Sequence, residues 1–268
     1  MKENLFTGKE KYVSKKSIST LGEYFDHIEY ARTQIFQNEH LWYRGLANNN
    51  YKLLPSLYRI KDYSFEDEVK IRNEFIDKAK GFVKYSNLTN YEWYFLMQHY
   101  GLPTRLLDWT EGYLIALFFA LRLSQNDNVH INPCIWIISP SKLNKITVGL
   151  DRIIRTEKSQ ENQDLELSAQ YLNFRKDAND IKPIAISSTY SNERILRQKG
   201  CFTVHGTEIR SIDSIFRVSK CTDIVQINIA RKSADKINRE LEYAGISESS
   251  IFPDLEGLSK EIKHRYNM

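Results

Sequence analysis

Apolar residues recur at helical spacing over the first third of the chain and at strand spacing over much of the last. Ser19 can cap a helix whose Leu21, Phe25, Ile28 and Ile35 share one face. Leu41-Trp42-Tyr43-Arg44-Gly45 reads as a strand ending in a turn, with Asn48-Asn49-Asn50 following. Ser64 and Asp67 resemble a capping box that opens a second helix along Phe65, Val69, Ile76 and Val83. A third helix runs from Asn90 through Met97, and Gly101 can supply its left-handed cap. From Thr110 to Leu123 the chain is apolar on nearly every side, which predicts a wholly buried helix.

Gln125 to His130 reads as a surface loop, and Pro133 to Ile138 as a central strand with its Pro where the strand begins. Arg155 to Lys176 is charged and rich in Gln and Asn. It reads as a solvated helix over Leu165, Leu167, Tyr171 and Phe174, or as part of a mobile flap. Short strands follow at Ile184 to Ser188 and Phe202 to His205, with a helical turn, Asn192 to Gln198, closed by Gly200 between them. Val225 to Ile229 alternates as a strand, Asp235 to Tyr243 is an amphipathic helix stopped by Gly245, and Phe252-Pro253-Asp254-Leu255 opens a last helix with Pro253 in its first turn. The pattern predicts an α+β fold of mixed or antiparallel small sheets around a buried central helix, with the helices concentrated in the N-terminal half. Residues 1–18 form a polar N-terminal segment and 19–268 a single domain.

Composition narrows this little. A net charge of +4 is weaker than the dense basic patch of most nucleic-acid modules, and it permits an anionic ligand. Sixteen Tyr and thirteen Phe build a ring-rich core, or a pocket that stacks a flat base. Cys134, Cys201 and Cys221 are odd in number and show no CxxC spacing. That disfavours a disulfide scaffold or a zinc site and fits a reducing compartment. No apolar leader or span of membrane length is present, so the expected location is cytoplasmic.

The densest chemistry lies in His99 to Thr110, where Gly101 and Pro103 break the chain among polar residues. On one reading Asp108 caps the buried helix and accepts from Arg105, with His99 on a helix surface. On the other, Thr104 and Arg105 bind a ligand, Asp108 holds Arg105, and Trp109 stacks on a ring or fills core. Arg44 at a strand end pairs with a carboxylate, or presents its planar fork to a phosphate that Gly45 lets approach the backbone. Glu193 is an exposed carboxylate at a helix start, or a site residue, and Gln198 caps a turn or joins it. There is no GxGxxG, P-loop, HExxH or GxSxG motif.

Tyr43-Arg44-Gly45, Leu54 to Arg59, Gln98 to Thr110, Arg194 to Phe202 and Phe252 to Leu258 together resemble the FRG domain, a bacterial family named after a Phe-Arg-Gly motif whose Phe is Tyr43 here. More distantly, Arg44, Thr104 and Glu193 occur in the order of the arginine, the Ser/Thr strand and the glutamate of the ADP-ribosyltransferase fold. Glu193 itself lies outside the FRG signature, which centres on Arg194 and Gln198. The resemblance implies an NAD-dependent ADP-ribosyltransferase or NAD hydrolase, a toxin-like effector in bacterial conflict or phage defence, with a protein or nucleic-acid acceptor and no metal. It implies catalytic roles for Arg44, Glu193 and Gln198. A nucleotide-like anion would lie against Tyr43, Arg44, Gly45, His99, Tyr100, Thr104, Arg105, Asp108 and Trp109. Arg44 would grip phosphate or ribose, Tyr43, Tyr100 or Trp109 would flank the nicotinamide, and Glu193 would hold a ribose hydroxyl and steady the positive charge that develops. The competing class is a non-catalytic module that binds a nucleotide, a nucleic acid or a phage component. A third is a scaffold whose Gln160 to Lys176 helix contacts a partner. A carboxylate facing the pocket, Glu193, separates the enzyme from the binder. Arg44, Thr104 and Arg105 are expected to converge on one concave site.

Overall fold

The computed structural model describes residues 4–7, 12–62, 64–82, 88–124, 131–156, 162–172, 180–187, 193–219 and 223–266. Its strands are β1 (Phe6–Thr7), β2 (Tyr12–Ser14), β3 (Trp42–Leu46), β4 (Leu106–Thr110), β5 (Cys134–Ile138), β6 (Ile184–Ile186), β7 (Gly200–Val204) and β8 (Ile224–Asn228). They form one mixed sheet in the order β1-β2-β8-β5-β3-β4-β7-β6, in which only β2 and β8 run parallel. The helices are α1 (Leu21–Tyr30), α2 (Phe65–Ala79), α3 (Asn90–His99), α4 (Tyr113–Ser124), α5 (Pro140–Val148), α6 (Asn162–Gln170), α7 (Glu193–Arg197), α8 (Ile212–Val218), α9 (Ala234–Tyr243), α10 (Glu248–Ile251) and α11 (Leu255–Arg265).

The α+β class holds, and the pattern of hydrophobic positions explains most of it. Cys134 to Ile138 is buried at every position and alternates between two cores, as a strand covered on both faces must. Tyr43, Ile135 and Val225 face α1, α4 and α9, while Trp42, Trp136 and Ile224 face α5 and α8. In α4, Ile115 to Phe118, Ala120 and Leu121 are all buried, so the apolar run is a central helix as its pattern predicts. Ser64 caps α2 through Asp67 N. Thr89 and Glu92 close a capping box on α3, and Gly101 ends that helix at φ +82°.

Other expectations need correction. The helices are not concentrated in the N-terminal half: α5 to α11 all begin after Ser139, and of these α5, α8 and α10 are short helices that the sequence pattern did not mark. Leu106 to Thr110, the end of the broken polar stretch that starts at His99, is β4, in full register with β7. Leu106, Leu107 and Trp109 enter cores on both faces, and that burial outweighs the lone Asp108. Thr110 therefore ends a strand, and α4 starts at Tyr113. Thr20, not Ser19, caps α1. Gly200 opens β7 while Lys199 carries the positive φ, and Asp254 caps α11 one residue beyond Pro253. The polar N-terminal segment supplies β1 and β2 to the same sheet, with Phe6 buried. Val83, Gln125 to His130, Phe174, Lys176, Ser188, Asn192 and Cys221 lie outside the described residues.

One feature of the sheet places the site. β3 shares five register pairs with β5, and β4 shares five with β7, yet β3 and β4 meet at a single pair, Tyr43 with Thr110. Beyond it the two strands part.

Candidate functional site

A cavity of about 300 Å³ opens where β3 and β4 separate. α3 contributes Phe95, Gln98 and His99, α4 contributes Phe119 and Arg122, and the α7–β7 segment contributes Arg194, Ile195, Gln198, Gly200 and Phe202. Phe252, between α10 and α11, closes one side.

Arg44 bridges the parted strands. Its Nη1 donates to the Asp108 carbonyl oxygen and lies 3.7 Å from Asp108 Oδ2, while its buried Nε has no hydrogen-bond partner. Burial pulls this guanidinium below the usual arginine value, and the adjacent Asp108 opposes the shift. The Asp108 carboxylate is half exposed and accepts from Gln98 Nε2 at 2.9 Å. Gln98 Oε1 in turn accepts from Thr104 Oγ1 at 2.6 Å, so Thr104 orients the amide that orients the carboxylate.

Two further arginines line the cavity. Arg122 forks onto Glu248 through Nε and Nη2, at 2.9 to 3.1 Å. Arg122 and Arg194 both stand over the Phe252 ring, with their guanidinium carbons 4.7 and 4.3 Å from its centroid. Burial lowers the His99 pKa and Arg194 adds to it, so this ring is neutral at pH 7. Phe95 stacks on Phe202 with centroids 4.6 Å apart, giving the cavity a flat apolar wall.

Of the residues proposed from sequence, Tyr43, Arg44, Gly45, His99, Asp108, Trp109 and Gln198 line the cavity. Four do not. Arg105 is buried in an ion pair with Glu68 at 2.7 Å and also donates to the carbonyls of Tyr171 and His205, so it holds core elements together and reaches no ligand. Thr104 sits one hydrogen bond behind the cavity, so the expected convergence of Arg44, Thr104 and Arg105 does not occur. Glu193 is exposed at the start of α7, 3.7 Å from Arg197, and its neighbour Arg194 lines the cavity instead. Tyr100 is 70% exposed and packs edge-on to His99 outside the cavity.

Two of the lining residues are there for reasons other than ligand approach. A Cβ at Gly45 would fall 2.0 Å from Ala116 O and 2.5 Å from Ala120 N, so this glycine admits α4 rather than a ligand. Trp109 is almost wholly buried and donates through Nε1 to Thr203 Oγ1. Gln98, Arg194 and Phe252 had been part of the quoted motifs without a role. Arg122 carried a signal of its own, a charge on an otherwise apolar helix.

Residues 39–129 match the model of the FRG domain family. No curated protein and no solved structure matches the chain. The matched segment supplies Arg44, Gln98, His99, Asp108 and Arg122, whereas Arg194, Gln198 and Phe252 come from beyond it. Among the described residues no group of three or more His, Cys, Asp or Glu is placed to hold a metal, and no helix is long and apolar enough to cross a membrane.

Proposed function

We propose that the cavity binds an anionic ligand of the nucleotide class, with NAD the first to test. One observation carries this: three guanidiniums, Arg44, Arg122 and Arg194, meet a single lining carboxylate in a cavity walled by aromatic rings. Buried guanidiniums seek acceptor oxygens, and the unpartnered Arg44 Nε offers a donor to one. Rings stack on bases whatever their identity. The volume is at the small end of ligand pockets, which run from about 300 to 1,000 Å³. It fits one nucleotide moiety and leaves the rest of a dinucleotide at the mouth.

Recognition without turnover is the reading favoured by Glu193, whose carboxylate lies outside the cavity. ADP-ribosyl transfer or NAD hydrolysis is the second reading, and Asp108 supports it. Its carboxylate is in the cavity, half exposed and steered by Gln98, where it could take the role the resemblance gives to a glutamate. A toxin-like role in bacterial conflict belongs to that second reading.

Calorimetric titration with NAD, together with chromatography for released nicotinamide, tests both. Saturable binding without release supports recognition. Release that Asp108→Asn abolishes supports turnover. No binding of NAD or ADP-ribose at millimolar concentration refutes the nucleotide reading. Arg44→Lys keeps the charge but loses the fork, and is expected to bind at least about tenfold less well, or roughly 1.4 kcal/mol.

A further inference from the structure

We infer that Arg194 and Arg122, set together on the Phe252 ring, form a diphosphate subsite within the cavity. The inference rests on the nucleotide reading and says which residues take the charge. The two guanidiniums differ in what they have left to offer. Arg122 spends its Nε–Nη2 edge on Glu248 and keeps Nη1. The Arg194 guanidinium makes no hydrogen bond and no ion pair within 4 Å among the described residues, although the residue is half-buried. The charges of Asp254, Glu256 and Asp108 reach it without bonding it: Asp254 Oδ1 caps α11 by accepting from Gly257 N at 2.7 Å, Glu256 pairs with Lys260, and Asp108 accepts from Gln98.

Like charges on one ring repel, and burial together with Arg122 accordingly lowers the Arg194 pKa. A fold that keeps both there gains from an anion between them. Glu248 already answers Arg122, so a diphosphate is matched by its number of oxygens: one phosphate takes the Arg194 fork and the other the Nη1 that Arg122 keeps. Phe252 makes the platform firm. Its N–H donates to Glu248 O at 2.8 Å, and its carbonyl sits where a Gly257 Cβ would fall, 2.2 Å away. Arg44 already spends a donor on the Asp108 carbonyl and lies 3.7 Å from its carboxylate, so it has less to offer a diphosphate than Arg194 has.

The test is calorimetric titration of the full chain with inorganic pyrophosphate. Wild type is expected to bind saturably, Arg194→Gln at least tenfold more weakly, and Arg194→Lys at least threefold more weakly with its melting temperature retained. Binding by wild type should also weaken as salt rises from 50 to 200 mM, and less so for Arg194→Gln. If Arg194→Gln fails to fold, Arg194→Lys decides alone. Wild type that ignores pyrophosphate, or a folded Arg194 variant that binds it as wild type does, overturns the subsite. These results separate from the nucleotide reading. Arg194-dependent pyrophosphate binding without NAD binding sustains the subsite and removes the nucleotide. NAD binding that is indifferent to Arg194 does the reverse.

Discussion

Arg105→Met should unfold the protein more readily and leave ligand recognition untouched. Arg105 is 1% exposed, and it donates to Glu68 Oε1 at 2.7 Å, the Tyr171 carbonyl at 2.6 Å, the His205 carbonyl at 3.2 Å and the Tyr94 hydroxyl at 3.4 Å. Glu68 is 4% exposed and also accepts from the Tyr94 hydroxyl at 2.6 Å. Removing the guanidinium therefore leaves a carboxylate buried with its countercharge gone, and strips donors from two carbonyls. Breaking such a pair from one side costs about 3–5 kcal/mol, or roughly 6–20 °C of melting temperature for a domain of this size.

Thermal and urea unfolding of Arg105→Met, Glu68→Leu and the double variant measure the pair directly. The double variant removes both charges and should recover about 2 kcal/mol relative to the sum of the singles. It should not reach wild type, because the Tyr94 hydroxyl then loses its acceptor, a cost of about 1–3 kcal/mol. Pyrophosphate titration of the folded single variant should match wild type. An Arg105→Met protein within about 1 kcal/mol of wild type, or one of full stability that no longer binds, would refute the reasoning.

Gly45→Ala should cost about 3 kcal/mol or more in urea unfolding, because the new methyl meets α4 backbone that cannot rotate away; near-wild-type stability would show that α4 does not lie so close. Leu117→Ala, at a fully buried position, should cost about 2–5 kcal/mol by the same assay, and a loss below about 0.5 kcal/mol would place α4 at the surface. Burial pushes His205 down to about 3, so below its ordinary value of 6.5 the unfolded chain takes up a proton that the fold refuses. This contribution is intact above pH 6.5 and is lost on acidification at up to about 1.4 kcal/mol per pH unit. His205→Leu should flatten the difference in urea midpoints between pH 7 and pH 5, and an unchanged difference would exclude His205 as its source.

What was legible in the sequence follows from the range of the interactions involved. Caps act within a few residues, so Ser64 with Asp67 and Gly101 mark helix ends that the structure confirms, and the Thr89–Glu92 box stands one residue before the expected start at Asn90. The buried helix was legible because its apolar residues surround the axis. Arg105 was misread because its partner, Glu68, lies thirty-seven positions earlier on another helix, and nothing local separates a buried pair from a ligand contact. The choice between Glu193 and Arg194 turns on the rotation of a five-residue helix, where neighbouring side chains diverge by about 100°. No stripe that short fixes which one faces inward. Gly45 was read beside a ligand when its reason is a helix backbone some seventy residues further on.

The parting of β3 and β4 ties these observations into one physical account of the site. A sheet interrupted between two central strands leaves backbone groups that water cannot reach freely, and each needs a partner. The Asp108 carbonyl takes one from Arg44, while past the end of α7 the Gln198 carbonyl accepts from Thr110 Oγ1 at 2.7 Å. The side chain that mends the break thus also lines the cavity. Arg44 closes the sheet through Nη1 and keeps a buried Nε without a partner, the donor that the proposed reading assigns to a ligand. Lysine can still reach the carbonyl but has no second edge, so Arg44→Lys should lose affinity far more than stability, and Arg105→Met the opposite. Two arginines drawn from neighbouring motifs are distinguished by what each is bonded to, not by the sequence around them.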